Sequence, residues 1–320
     1  MMGSNRMSFY DKEILKDLRL RIETSDPLYK GQKKLSLRGK DLQAVPHVLF
    51  TMMELEVLDL SPAREACLFF RLPLLPPSIG KLINLRVLQL DTNELRSLPK
   101  EISLLHSLER LSLSNNFLEA LPHGLSRLRK LRSLHMANNR FEAFPLEVCE
   151  VESLEFLDLS DNHLVTIPDT ISSLVNLRTL LLCYNKIMQL PDTICDLTWL
   201  ECLWLGHNRL RSLPSNFHKL DGIEWGLRYS SSVLEYNPLV TPPVEICRKG
   251  PVAIKEYFED LNAVRSITTP EFEKDEIHAI ETDSELGMIT ADTPQDDGGK
   301  HVTIKVTSPE GEEDCVDISP

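Results

Sequence analysis

Apolar residues along this chain recur in a short unit with a regular period of 23. In the unit at residues 108–128, LERLSLSNNFLEALPHGLSRL, apolar and polar residues alternate around Leu111 and Leu113. Such alternation predicts a short strand that buries its leucines on one side and shows its polar residues on the other. The Leu-Pro pair then keeps the chain extended, and Leu125 and Leu128 predict a helical or 3₁₀ return segment.

Three positions of this unit recur at the same spacing in six consecutive copies. The strand leucines are Leu88, Leu111, Leu134, Leu157, Leu180 and Leu203. The asparagines, whose amides can bond to backbone groups at a bend, are Asn93, Asn116, Asn139, Asn162, Asn185 and Asn208. The prolines are Pro99, Pro122, Pro145, Pro168, Pro191 and Pro214. One unit cannot enclose its own leucines, each worth about 1.5–3 kcal/mol when buried, so the units must stack. The sequence predicts an α/β solenoid, a curved horseshoe with a parallel β-sheet on its concave face.

The repeat is less regular towards its two ends. A first unit around residues 35–37 has Lys40 where asparagine is expected. The interval from Leu58 to Leu88 is seven positions longer than the period, which indicates an insertion, and Asn237 comes six positions later than the repeat predicts. We count about nine units, of which six are regular.

Amphipathic segments flank the repeats. Residues 8–23 have apolar residues at helical spacing behind Ser8 and Asp11, which form an N-terminal capping pattern. A second apolar face follows Pro251, and both segments are expected to cover the open ends of the core. The predicted division is an N-terminal helical cap at 1–32, repeats at 33–250, a C-terminal capping helix at 251–265 and a disordered acidic tail at 266–320.

The net charge of −13 belongs almost wholly to that tail. Residues 266–320 contain fifteen Asp and Glu against three Lys, a charge of −12, which leaves −1 for the rest of the chain. This polar, acidic composition predicts disorder. Neither part shows the basic stripe of a nucleic-acid or anionic-membrane surface, and no apolar run reaches the roughly 20 residues of a membrane span.

The cysteines and the start of the chain favour the cytoplasm. The seven cysteines are an odd number and are scattered through the repeats, which favours reduced thiols over disulfide-bonded caps. Residues 1–10 lack the basic-then-apolar order of a secretory signal. We therefore expect the protein in the cytosol or nucleus. We also expect a monomer.

The unit at residues 154–174, LEFLDLSDNHLVTIPDTISSL, resembles the short repeats of the cytosolic Ras-binding leucine-rich scaffold family. The ending NPLVTPPVEICRKGPVAIKEYF, residues 237–258, is similar to the terminal repeat and capping helix of many of those proteins. The resemblance covers residues 33–262. It implies a scaffold whose partners include a Ras-type small GTPase and a protein phosphatase catalytic subunit. It does not assign partner contacts to individual residues, because the motif defines only the framework.

No residue pattern of an enzyme is present. The sequence contains no G-x-S-x-G, no H-E-x-x-H and no phosphate-binding loop. Cys183, Cys202 and His207 could meet on adjacent strands and bind zinc, but no fourth ligand is evident. We predict no catalytic residue, no metal and no cofactor.

The outward strand positions are the best candidates for function, because the fold does not dictate their identity. The central outward column runs from polar to apolar through Ser36, Asp59, Gln89, Ser112, His135, Asp158, Leu181 and Trp204. Aromatic and apolar residues on adjacent strands predict a partner-binding patch. It consists of Phe156, Asp158, Leu181, Tyr184, Trp204 and His207. In the alternative interpretation these residues pack on one another or beneath the irregular stretch at Trp225.

Two further segments leave alternatives open. Residues 67–70 of the insertion, CLFF, suit either a docking loop or a flap folded onto the core, and we favour the flap. In the tail, residues 302–306 alternate weakly and could pair as a strand with a partner. Thr269, Thr293 and Ser308, each followed by proline, are either phosphorylation sites or part of a solvating tail.

These features predict a non-catalytic scaffold or adaptor in intracellular signalling that binds a folded protein on its concave face. The alternative is a regulatory subunit of an enzyme, such as a phosphatase, or a substrate adaptor of a ubiquitin ligase. An enzyme in its own right is the least supported class.

Overall fold

The computed structural model describes residues 7–38, 45–62, 71–223 and 234–268, together with residues 306–307 and 313–314. Its main feature is an eight-stranded parallel sheet whose strands follow one another in chain order. The strands are β1 Lys34–Ser36, β2 Val57–Asp59, β3 Val87–Gln89, β4 Arg110–Ser112, β5 Ser133–His135, β6 Phe156–Asp158, β7 Thr179–Leu181 and β8 Cys202–Trp204.

Helical segments return the chain between strands, as predicted. The α-helices are α1 Phe9–Leu20, α2 Leu146–Cys149, α3 Val244–Cys247 and α4 Pro251–Thr268. The 3₁₀ segments are His47–Thr51, Pro77–Lys81, Lys100–Leu104, Leu125–Arg127, Asp169–Ser173, Asp192–Asp196 and Phe217–Lys219. Most of the 3₁₀ segments begin directly after a proline, which is the last extended residue before the segment. No helix in the described part of the chain is both long enough and apolar enough to cross a membrane.

The strand leucines stand opposite one another along the whole sheet. Leu58 pairs in register with both Leu35 and Leu88, so the longer interval after Leu58 does not shift the pairing. All six predicted strand leucines are fully buried in one core cluster that runs from Leu18 to Phe258. The inserted residues 67–70, Lys40 and Trp225 lie outside the described residues, as does the strand expected for the ninth unit.

The asparagines form a buried ladder that joins neighbouring units. Asn116 Nδ2 donates to the carbonyl oxygens of Leu113 and Leu90, both at 3.0 Å, and its Oδ1 accepts from the backbone N of Leu95 at 3.1 Å. Leu90 and Leu95 belong to the preceding unit, so the amide links two units. The same arrangement occurs at Asn93, Asn116, Asn139, Asn162, Asn185, Asn208 and Asn237.

The helices at the two ends cover the core as expected. Ser8 Oγ accepts from the backbone N of Asp11 at 3.0 Å at the start of α1, and Leu18 of this helix is buried. In α4, Ile254 and Phe258 are buried against the last units. This helix continues to Thr268, three residues beyond the predicted end, because its backbone meets no proline or glycine before that point.

The chain divides into two compact units, Met1–Thr269 and Pro270–Pro320. In the second, β9 Val306–Thr307 pairs antiparallel with β10 Glu313–Asp314. Val306 therefore pairs within the chain, whereas the sequence left open that residues 302–306 pair with a partner. The intervening sequence contains a proline and a glycine, which favour chain reversal. The other tail predictions, namely disorder and the three phosphorylation sites, lie outside the described residues.

Candidate functional site

The face of the sheet that carries the outward strand positions, here called the front, is covered at its N-terminal end. The cap segment, residues 24–32, places Tyr29 against Val57 of β2 and Val87 of β3, and all three side chains are buried. Lys34 Nζ lies 5.3 Å from the centre of the Tyr29 ring. The outward positions Val57 and Val87 are therefore not open to a partner, because a residue outside the repeats packs on them.

The open face is the front of strands β4 to β8. A cavity of about 580 Å³ separates it from the cap segment and is lined by Leu28, His135 and Phe156, among others. The His135 ring lies 4.5 Å from the Phe156 ring, and its Nε2 lies 2.8 Å from Ser133 Oγ. Burial lowers the pKa of His135, and the nearby Arg110 lowers it further, so this imidazole is neutral at pH 7. The part of the open face next to the cap segment is therefore lined by the uncharged aromatic rings of His135 and Phe156.

The central column of the predicted patch forms the floor of the open face. Asp158, Leu181 and Trp204 are direct neighbours in register on β6, β7 and β8, and Phe156 lies on β6. All four are half-buried, so they are less exposed than a free apolar patch would be. Tyr184, at the bend after β7, is 56% exposed. The most accessible part of the patch thus lies at the bends.

Three aromatic rings stack at those bends, and we call them the aromatic stack. The rings of Tyr184 and His207 lie 4.2 Å apart at an interplanar angle of 11°, and those of His207 and Tyr236 lie 4.1 Å apart at 17°. Tyr236 is 71% exposed. Sequence reasoning missed Tyr236 because the last unit is lengthened, whereas the regular period predicts the next member of this column at position 230.

The backbone at the aromatic stack is left-handed. The φ angles of Tyr184, His207 and Tyr236 are 56°, 56° and 58°. Earlier units keep the same conformation at Thr92, Asn115, Asn138 and Asp161. Asn, Asp and His tolerate this region, but a tyrosine there costs about 1–2 kcal/mol. Side chains that the local backbone disfavours are retained most often where they have a function.

Alternating charges line the edge at which the strands begin. This charge row consists of Lys33, Glu56, Arg86, Glu109, Arg132, Glu155, Arg178 and Glu201. Arg132 Nη1 lies 2.7 Å from Glu155 Oε1, and the pairs on either side have similar distances. The row was missed in the sequence because only the framework positions and the central outward column were followed there. Its charges neutralise one another, so this edge offers little net field to a partner.

The charge row is expected to contribute little to stability. In a double-mutant cycle of Arg132→Ala and Glu155→Ala, measured by urea denaturation, we expect a coupling energy below about 1 kcal/mol. The reason is exposure, since the two side chains are 66% and 40% accessible and water screens the pair. A coupling energy above about 2 kcal/mol exceeds what exposed ion pairs contribute and would contradict this expectation.

The geometry gives little support for a metal site or a reactive thiol at the predicted partner-binding patch. Within the described ranges, no group of three His, Cys, Asp or Glu side chains converges as a metal site, and this includes Cys183, Cys202 and His207. Burial raises the pKa of Cys183 to about 11, so its thiol stays protonated at neutral pH. His207 instead stacks between the two tyrosines. The described cysteines form no disulfide with one another, and they are Cys149, Cys183, Cys195, Cys202 and Cys247.

Residues 54–162 match the family model of a leucine-rich repeat region, and residues 152–210 match that of the leucine rich repeat. The fold is a leucine-rich-repeat solenoid. The solenoid is similar to the plant peptide hormone receptor RGFR1 in complex with RGF2, at 25% identity and a TM-score of 0.50 over 64% of this chain. It is also similar to the ectodomain of the receptor kinase GASSHO1/SCHENGEN3 from Arabidopsis thaliana, in complex with CASPARIAN STRIP INTEGRITY FACTOR 2. There the identity is 28% and the TM-score 0.49, again over 64% of this chain.

The leucine-rich-repeat solenoid is much shorter than these receptor chains. It spans 31% of the RGFR1 chain and 27% of the GASSHO1/SCHENGEN3 chain. No curated protein sequence matches it.

Proposed function

We propose that this leucine-rich-repeat solenoid is a non-catalytic scaffold or adaptor that binds a folded protein on its open face. The observation that carries the proposal is the aromatic stack. Tyr184 and Tyr236 keep a backbone conformation that tyrosine disfavours, and both rings are more than half exposed. Rigid, accessible aromatic side chains are the type that most often anchor protein interfaces.

The floor beside the aromatic stack supports the same function. Leu181 and Trp204 are neighbours in register and half-buried, so a partner that covers them removes further apolar area from water. Asp158 lies next to Leu181 on the same column and adds a polar contact. An apolar centre with polar residues at its margin is the usual composition of a protein interface.

The compartment and the partners form part of the proposal. We place the scaffold in the cytoplasm, in signalling, with a Ras-type small GTPase or a protein phosphatase catalytic subunit as the partner implied by the family resemblance. The five reduced cysteines among the described residues support a reducing compartment. The similarity to RGFR1, which is a peptide hormone receptor in complex with RGF2, supports the binding of a polypeptide.

Replacing Tyr184 and Tyr236 together by asparagine should separate binding from stability. Partner recovery by affinity purification from cytosolic extract is expected to fall at least about tenfold, because two anchors are lost. The free energy of unfolding should stay the same or rise by about 1 kcal/mol, since asparagine tolerates the left-handed backbone that it already occupies at Asn115 and Asn138.

Trp199→Asn is the matched control for that experiment. Trp199 is 65% exposed and lies near the opposite edge of the sheet, before β8, so its loss should leave partner recovery unchanged. A double tyrosine variant that loses stability but keeps its partner would overturn the proposal. Recovery of several signalling proteins supports a scaffold, whereas one stoichiometric catalytic subunit supports a regulatory subunit instead.

A further inference from the structure

The loops that leave the C-terminal ends of the strands form a ledge beside the open face. In four consecutive units, a basic residue occupies the position two residues after the left-handed one. This basic row consists of Arg140, His163, Lys186 and Arg209, and all four side chains are exposed. Backbone hydrogen bonds hold its members in register, as from Lys186 N to Leu164 O at 2.9 Å and from Arg209 N to Ile187 O at 2.8 Å.

The basic row is not neutralised in the way that the charge row is. Among the described residues, its members take part in no ion pair within 4 Å. Glu142 and Asp161 are the acidic residues in the neighbouring columns, near the Arg140 end. At the other end the outward positions flanking Lys186 and Arg209 are not acidic, and they are Tyr184, Met188, His207 and Arg211. The two edges of the sheet therefore differ, because the charge row is self-compensated and the units of Lys186 and Arg209 keep a local net positive charge.

An apolar column runs beside the basic row. Val165, Met188 and Val240 are 39%, 56% and 67% exposed, and the first two follow the basic-row position of their own unit by two residues. Arg211 occupies the column between Met188 and Val240. Exposed apolar side chains on adjacent units mark an interaction surface, and methionine adapts readily to the shape of a partner.

We propose that the ledge binds an amphipathic α-helix of a protein partner. The acidic stripe of that helix lies on the basic row, and its apolar stripe covers Val165, Met188 and Val240. This contact is additional to the one on the open face, because none of the residues of the aromatic stack belongs to either column of the ledge.

The spacing between units matches the side-chain spacing of an α-helix better than that of an extended segment. Neighbouring parallel strands are about 4.8 Å apart, so the basic row presents one side chain about every 5 Å along the ledge, and Val165 and Met188 follow the same spacing beside it. An α-helix rises about 5.4 Å per turn and places carboxylates at i, i+4 and i+7 on one face, which matches one residue per unit. In an extended strand, side chains on one face are about 6.7 Å apart and lose register within two units.

The number of positive charges on the ledge also favours a protein partner over nucleic acid. The basic row contains two arginines and one lysine beside His163, and Arg211 adds a fourth formal positive charge. A protein that binds nucleic acid through about 6–10 phosphate contacts needs more positive charge than a single row of this size supplies. An acidic helix needs only one carboxylate per basic residue, and its apolar stripe uses the exposed column that a phosphate backbone would leave in water.

The test uses a synthetic helical peptide with glutamates at i, i+4 and i+7 and leucines on the adjacent stripe. Fluorescence anisotropy should show that the full-length protein binds this peptide about tenfold more tightly than a peptide of the same composition in scrambled order. The double charge reversal Lys186→Glu and Arg209→Glu should weaken binding at least about tenfold. The matched control, Arg129→Glu with Lys130→Glu, changes the charge equally at exposed positions before β5 and should keep the affinity.

A charge-swapped peptide, with lysine in place of each glutamate, should bind the Lys186→Glu and Arg209→Glu variant more tightly than the unaltered protein. Such a rescue requires a folded ledge and cannot come from unfolding. The asparagine variants of the aromatic stack should bind the striped peptide normally, so failure of the open-face contact is distinguishable from failure of this one. Equal binding of striped and scrambled peptides, equal loss in the control variant, or tighter binding of a DNA duplex or of phosphatidylserine vesicles would overturn the proposal.

Discussion

Replacing Asn139 by alanine is expected to lower the free energy of unfolding by about 3–5 kcal/mol. Asn139 Nδ2 donates to the carbonyl oxygens of Leu113 and Met136 at 3.0 and 3.1 Å, and its Oδ1 accepts from the backbone N of Leu118 at 3.0 Å. These bonds are buried, so alanine leaves Leu118 N without a partner where water does not reach it. It also removes one of the two amide donors to each of the carbonyl oxygens of Leu113 and Met136, which keep Asn116 and Asn162 respectively. Urea denaturation followed by circular dichroism measures the loss.

The neighbouring Asn138→Ala is the matched control for this substitution. Asn138 is exposed, has a φ of 52°, and donates to Asn115 Oδ1 at 2.8 Å. Its replacement should cost only about 1 kcal/mol, mostly because alanine disfavours the left-handed backbone. Asn139→Ala should also broaden the transition, since its amide joins two units and the cooperativity of a solenoid depends on such links. Equal costs at the two positions would show that the asparagine ladder is not a buried network.

The repeat framework was readable from the sequence because the core imposes it. Leu111 and Asn116 recur at a fixed interval, and each unit can bury its leucine only against the next. The capping of α1 by Ser8 was equally predictable, since it depends on residues three positions apart. Features fixed by local spacing or by the shared core were therefore predicted correctly.

The central outward column was read across the units, but the columns at the two edges of the sheet were not predicted. The basic and charge rows lie outside the strand centre, so the column read through Leu181 and Trp204 does not include members such as Lys186 and Arg209. Tyr29 covers the front of β2 and β3 but lies outside the repeats, so the repeat period could not predict this contact. Tyr236 is displaced by the lengthened last unit. The leucine pattern therefore predicts the fold. The candidate site is found only by comparing equivalent positions of neighbouring units.

Asp91 gives the solenoid a predictable dependence on pH. Burial raises the pKa of Asp91 from 3.8 to about 6; the nearby Asp59 also raises it, and the hydrogen bond from Ser114 N, at 2.8 Å, acts in the opposite direction. A raised pKa means that the folded state favours the protonated carboxyl. The stability that this group contributes is thus fully present below about pH 4 and is lost as the pH rises through about 6, a change of at most about 3 kcal/mol.

Asp91→Asn should remove that loss. At pH 7.5 the free energy of unfolding is expected to rise by about 2–3 kcal/mol, because the amide carries no charge to desolvate and its oxygen still accepts from Ser114 N. At pH 4 the variant and the unaltered protein should be equally stable, since the carboxyl is then largely protonated. Urea denaturation at pH 4, 5, 6 and 7.5 measures both, with the exposed Glu152→Gln as a control that should change stability by less than about 0.5 kcal/mol. If Asp91→Asn instead destabilises the protein at every pH, the carboxylate is a favourable part of the fold, and burial does not control its titration.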